Sequence, residues 1–256
     1  MNETANDIIL EAHRGVSNEY PENTLAALRA AWELGYGMIE LDTKFTADDK
    51  CVLLHDHTVN RTARRADGSA IEGETAIASL TLDEVRELDA GIYMGERFKG
   101  EKIPTLEEVL DFAAEAGIPL KFDNVLWSHT SKQREILFSA VEGSDAVCGF
   151  TCYTTEQVRI LLKRLPDAYV HFDGKVDDIA LAELARLVSP DRLYVWMRFD
   201  NAATSWNTTP PATPEAAEQI HKIGKLGVWI IHTEAELKTA VALGADIAET
   251  DGSLRP

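Results

Sequence analysis

The sequence predicts an α/β fold of the (β/α)8 class, a TIM barrel, on three observations. Eight short apolar runs alternate with helix-length amphipathic segments. The 256 residues, 45% apolar and 27% charged, fit one large globular domain over 1–256. No Gly-x-Gly-x-x-Gly turn follows the first run, as it would in the rival open sheet that binds dinucleotides.

The elements are read in order. Residues 8–13 form the first strand, and Pro21-Glu22-Asn23-Thr24 opens a helix over 25–34 that stops at Gly35. Residues 37–42 form the second strand. A turn at 47–50 returns the chain as an extra short strand over 51–55, a hairpin standing above the barrel. Residues 56–104 are too long for a βα loop and read as a lid-like insertion. The remaining strands are expected at 118–123, 147–151, 168–172, 193–198, 228–231 and 246–250. Helices are expected at 105–116, 132–141, 155–165, 179–188, 214–225 and 234–243. The stretch 200–214, rich in Thr, Asn and Pro and carrying Trp206, reads as a long loop over the active face. No eighth outer helix is expected, because the sequence stops soon after the last strand.

Asp and Glu number 43 against 25 Lys and Arg, a net charge of −18. Such a chain repels polyanions, which argues against nucleic acid and anionic membranes as partners. No stretch approaches the ~20 apolar residues of a membrane span. Met-Asn-Glu-Thr-Ala-Asn-Asp lacks the basic and apolar stretches of a signal peptide. Cys51, Cys148 and Cys152 are too few and too irregular for a disulfide frame. They read as free thiols in a reducing, cytoplasmic compartment.

Sites in this fold form where strands end at one face. His13 ends the first strand. Glu40 and Asp42, two apart, share a face at the end of the second. His55 ends the extra strand and Asp123 the third barrel strand. Each alone has a bland reading: a solvated histidine, or a polar barrel layer. Together, three carboxylates without a thiolate suit a hard divalent cation, Mg2+ or Ca2+. Two histidines suit acid and base work near neutral pH. His171, His221 and His232 are expected at the surface or behind the site, and His57 and His129 in loops.

The order and spacing of several motifs then add a resemblance. His13-Arg14-Gly15, Pro21-Glu22-Asn23-Thr24, Glu40-Leu41-Asp42, His55-Asp56 with Arg61-Thr62, and the run 103–110 together resemble the glycerophosphodiester phosphodiesterase family. The close match covers roughly residues 8–123 and continues more weakly to Trp229 and Thr250-Asp251. The resemblance implies a metal-dependent hydrolase that releases an alcohol and glycerol phosphate from a small-molecule phosphodiester. It implies His13 and His55 as the acid–base pair, Arg14 as a phosphate contact, and Glu40 and Asp42 as metal ligands, with Asp123 as the third. Arg198 and Trp229 are the further expected substrate contacts. Where the family has Glu, an apolar residue and Lys, this sequence has Asp123, Asn124 and Val125. Lys121 is therefore expected to supply part of the missing lysine's charge. Two alternatives stand beside this reading. One is a barrel that binds phosphodiesters without turnover. The other is cleavage of lysophospholipids, with Ile92, Tyr93, Met94 and Phe98 lining an acyl groove.

A last expectation comes from alternation alone. Glu11 precedes His13 by two residues and Lys121 precedes Asp123 by two, so both face inward one layer deeper. An unpaired charge there is very costly. A buried Glu11–Lys121 contact beneath the metal site is expected; the alternative is a rotated strand with its charge outward.

Overall fold

The structure, a computed structural model, describes residues 8–199 and 211–256. The stretch 200–210, with Trp206 and most of the expected rim loop, lies outside the described residues. β1 (Ile9–His13) and α1 (Leu25–Glu33) lead to β2 (Met38–Phe45), and β3 (Cys51–Leu53) folds back on it. There follow α2 (Leu82–Arg86), α3 (Leu106–Ala116), β4 (Leu120–Asp123), α4 (Val125–Ser128), α5 (Ser131–Glu142) and β5 (Cys148–Cys152). The chain continues through α6 (Thr155–Arg164), β6 (Tyr169–Phe172), α7 (Asp178–Leu187) and β7 (Leu193–Arg198). It ends with α8 (Pro214–Ile220), β8 (Lys225–Trp229), α9 (Glu234–Ala242) and β9 (Ile247–Thr250).

The order β1-β9-β8-β7-β6-β5-β4-β2, with β1 also pairing β2, closes an eight-stranded parallel barrel. β3 lies outside the ring, antiparallel to the last residues of β2. Most helix starts are set by threonines, while Asp177 caps α7. The Thr105 hydroxyl accepts from the Glu108 amide while the Glu108 carboxylate accepts from the Thr105 amide at 2.8 Å. Thr81 with Glu84, Thr130 with Gln133 and Thr233 with Glu236 repeat this reciprocal cap. Each such cap stabilises its helix by about 1 kcal/mol.

Two boundaries differ from expectation, and two short helices, α2 in the insertion and α4 after β4, were not anticipated. The helix expected over 214–225 stops at Ile220, and the strand expected at 228–231 begins at Lys225. A Cβ on Gly224 would sit 2.7 Å from the Leu193 carbonyl oxygen, so the chain turns tightly there and enters the sheet early. Lys225 is tolerated inside a strand because its ammonium lies 5.0 Å over the Tyr194 ring. α4 follows β4 directly, because Asn124 adopts the left-handed region (φ 59°) and redirects the chain.

The barrel interior is layered. Met38, Tyr194, Trp196 and Ile247 form an apolar floor. Gly149 and Gly227 leave room above it; a Cβ on Gly227 would press 2.6 Å against the Trp196 ring. His171 is fully buried inside the barrel and not at its surface. Its Nδ1 accepts from the Trp196 indole at 2.9 Å and its ring stacks on Tyr194 at 4.9 Å. Burial, and then the Lys121 charge, hold its pKa well below the ordinary value, so it stays neutral. His129 is also buried, its Nε2 2.9 Å from the Thr43 hydroxyl. Residues 56–104 carry α2 and three 3-10 turns, and Val59, Ala63, Ile77, Val85, Ala90 and Ile103 there pack with Val52 and Leu54 into a separate apolar cluster. The three cysteines are free and buried. Among the described residues, no helix is long and apolar enough to cross a membrane.

Candidate active site

The strand ends open onto a cavity of about 730 Å³. His13, Arg14, Glu40, Asp42, His55, Lys121, Asp123 and Trp229 all line it. Arg198 ends β7, is buried, and is not among the lining residues. Val125 is buried in the core at the start of α4, so it does not face the cavity either.

The turn after β1 is built for close approach. Arg14 has φ 56° and Gly15 φ 82°, and a Cβ on Gly15 would meet the Ala27 backbone at 2.7 Å. The turn aims the Arg14 amide at Glu40 Oε2, 3.0 Å away. The Arg14 side chain reaches Glu22 at 3.1 Å and lies 3.2 Å from Asp42 Oδ2. Asn23, also left-handed at φ 56°, clamps Asp42 from both sides. Its amide donates to Oδ2 at 3.0 Å and its carbonyl accepts from the Asp42 amide at 3.1 Å. This gives the Pro-Glu-Asn-Thr motif a physical role: Glu22 holds Arg14, Asn23 holds Asp42, and Thr24 caps α1.

One oxygen from each of Glu40, Asp42 and Asp123 lies within 4.8 Å of the others. Burial first, then the neighbouring carboxylates, push the Glu40 carboxyl well above its ordinary value. Burial raises Asp123 too, with Asp42 adding to it against the pull of Lys121. Three oxygen donors that repel one another in a buried site fit a hard divalent cation, which would relieve that repulsion.

The two histidines sit differently. His13 is half-buried, its Nε2 3.9 Å from Glu40 and 3.8 Å from Glu249, and burial lowers its pKa. His55 is exposed, its Nδ1 2.6 Å from Asp56 Oδ1. Hydrogen bonds from Arg61 hold Asp56 ionised, well below its ordinary pKa. An ionised carboxylate only accepts, so His55 Nδ1 is the donor in this bond. Arg61 also grips Glu22 through two 2.7 Å bonds, which ties the His55 loop to Arg14.

Lys121 donates to Glu11 Oε1 and to Glu249 Oε2, both at 2.8 Å, and lies 3.8 Å over the Trp196 ring. The Glu11–Lys121 contact is where alternation places it. Glu249 is a partner that the sequence reading missed. Its signal was the alternation of Ile247 and Glu249 on the last strand. Trp127, Tyr153 and Asp173 also line the cavity without having been anticipated. Phe98 stacks on Tyr20 at 5.4 Å and the Tyr93 hydroxyl accepts from the Glu22 amide. Ile92, Tyr93, Met94 and Phe98 are absent from the cavity lining.

Comparison with known proteins identifies the family. The model of the glycerophosphoryl diester phosphodiesterase family matches residues 13–135. A glycerophosphodiester phosphodiesterase of Caldanaerobacter subterraneus subsp. tengcongensis is 31% identical over 247 residues, 94% of this chain and 92% of the relative. Human glycerophosphodiester phosphodiesterase 1 is 36% identical over 147 residues, 54% of this chain and 41% of the relative. Among solved structures, an Oleispira antarctica phosphodiesterase in complex with the product sn-glycerol-3-phosphate superposes with TM-score 0.74 at 20% identity. The match covers 96% of this chain and 93% of that one. A glycerophosphodiester phosphodiesterase from Agrobacterium tumefaciens gives TM-score 0.66 at 19% identity, covering 95% and 96%. With its barrel, its cavity and a relative matched along nearly its whole length, the chain belongs to the glycerophosphodiester phosphodiesterase family of enzymes.

Proposed function

We propose that the chain hydrolyses glycerophosphodiesters by histidine acid–base catalysis beside a divalent cation held by Glu40, Asp42 and Asp123. The observation that carries this reading is the convergence of two imidazoles, three mutually repelling carboxylates and one arginine on a single cavity. When bound, Mg2+ or Ca2+ would polarise a phosphate oxygen and lower the pKa of a neighbouring hydroxyl. Arg14, held in place by Glu22 and Asp42, presents a fork that matches phosphate oxygens. One histidine takes the proton from the substrate's own glycerol hydroxyl as its oxygen bonds to phosphorus. The bond from phosphorus to the departing oxygen breaks, and the other histidine gives that oxygen a proton. Water then opens the cyclic phosphate with the two roles reversed. Lys121 and Trp229 line the same cavity.

Alcohol release from glycerophosphocholine and glycerophosphoethanolamine, with and without EDTA and with each metal restored, tests the scheme. Chelation should abolish turnover. His13→Ala and His55→Ala should each lower kcat by ~10²–10⁴-fold with the fold intact. Full activity in excess chelator removes the metal. Either variant at the wild-type rate removes the histidine assignment.

A further inference from the structure

His55 is the more exposed of the two imidazoles, 41% against 26% for His13, so polar ties decide where it stands. Asp56 holds its ring, and Arg61 holds Asp56. The peptide that leads into His55 is held differently. β3 ends at Leu53, and Leu54 lies just past it. Thr43 pairs with Leu53 in the β2–β3 ladder, so Asp42 stands opposite Leu54. The Leu54 amide donates to the Asp42 carbonyl at 3.1 Å. In an antiparallel ladder a pair bonded in this way exchanges two backbone hydrogen bonds. Here the return bond is not made, because the Asp42 amide donates to Asn23 Oδ1 at 3.1 Å instead. The clamp that holds Asp42 therefore withdraws a donor from the strand that carries His55.

Lys44 replaces that donor. Its ammonium donates to the Leu54 carbonyl and to the Thr43 carbonyl, at 3.3 Å each. By alternation Lys44 follows Glu40 and Asp42 on one face of β2. It is partly buried and does not line the cavity. It also belongs to none of the motifs that carry the family resemblance.

Packing fixes the Leu54 side chain, which sits in the apolar cluster of the insertion. Packing does not fix the tilt of the peptide between Leu54 and His55. That unit is planar and rigid, so holding its carbonyl also fixes its N–H and the Cα of His55.

We propose that Lys44 is a positioning residue for His55, holding the peptide that leads into the imidazole at the angle the acid–base step needs. The proposal deepens the phosphodiesterase reading above and rests on it.

Lys44→Met keeps the stem and removes the donors. With glycerophosphocholine and saturating Mg2+ or Ca2+, kcat should fall ~tenfold while KM stays near the wild-type value. A displaced catalytic group slows the step, and Lys44 itself touches no substrate. Lys44→Arg, which still donates, should recover most of the loss. A wild-type kcat in Lys44→Met, or an effect carried by KM alone, overturns the proposal.

Amide hydrogen exchange reads the position without turnover. In Lys44→Met the Leu54 amide should exchange ~tenfold faster. The Val52 amide, opposite Lys44 in the ladder, should keep its wild-type rate. Equal acceleration at both means that β3 as a whole has come loose, which makes Lys44 structural and overturns the proposal. An unchanged Leu54 rate overturns it too, as does a Lys44→Met chain that does not fold. If the wild type turns over no diester, the phosphodiesterase reading fails by itself. The exchange rates then decide alone whether Lys44 holds the His55 peptide.

Discussion

Replacing Lys121 with methionine keeps most of the side-chain stem and removes the ammonium. That ammonium donates to Glu11 and Glu249 at 2.8 Å each, and none of the three residues is more than 8% exposed. Burial would raise the Glu249 carboxyl, but Lys121 and then His13 outweigh it and hold it at about 2. Glu249 is therefore the charge left behind. Breaking a buried pair from one side typically costs ~3–5 kcal/mol, because the remaining ion keeps its desolvation penalty without its partner. At roughly 2–4 °C per kcal/mol for a chain of this size, Tm should fall by roughly 6–20 °C. Urea unfolding at pH 7, followed by circular dichroism, measures the loss. The double variant Lys121→Met with Glu249→Gln removes both charges and should recover most of it. A single variant that loses less than ~1 kcal/mol refutes the reasoning. So does a double variant no more stable than the single.

Burial pushes the Glu11 carboxyl from 4.5 up to about 8, against the pull of Lys121. A raised folded pKa means a contribution that is full below 4.5 and is lost as pH rises through 8. Glu11→Gln mimics the protonated form and should flatten the decline in urea midpoint between those values; an unchanged slope sinks the assignment. Gly15→Ala forces a side chain into a left-handed turn 2.7 Å from the Ala27 backbone. It should cost about 1–3 kcal/mol and lower kcat by displacing His13 and Arg14, read by melting and turnover together. Asp123→Asn should weaken Mg2+ binding in calorimetry while leaving the metal-free protein at least as stable, because it relieves carboxylate repulsion; unchanged affinity argues against Asp123 as a ligand.

The barrel was legible because its strands are short apolar runs separated by amphipathic segments of helix length. The strand at Lys225 was hidden because a lysine there reads as a helix end, and only the Tyr194 ring beneath it makes a strand residue of it. Glu11 and Lys121 could be paired from alternation because both precede a recognised site residue by two. Glu249 stands before no residue of the expected site, so alternation by itself gives no reason to pair it with Lys121. Asn23 stood inside a motif, yet its clamp on Asp42 depends on a left-handed backbone that sequence spacing does not encode. Trp127 and Tyr153 meet across consecutive loops, and no periodicity relates one loop to the next. His171 lies within the run 168–172, where alternation with Tyr169 would have pointed it inward.

β1 bonds β2 on one side and β9 on the other, so the first barrel strand is completed by the last. β9 also brings Glu249 to Lys121. During vectorial synthesis, one edge of β1 stays open until β9 has emerged. An open parallel edge is a template for mispairing, and contacts this distant in sequence form slowly. The step that seals the edge also supplies the second carboxylate to a buried lysine. A partial barrel therefore has neither its hydrogen bonds nor its charge balance, and the nascent chain gains little by committing early. Until β9 pairs with β1, the open edge is exposed to neighbouring chains.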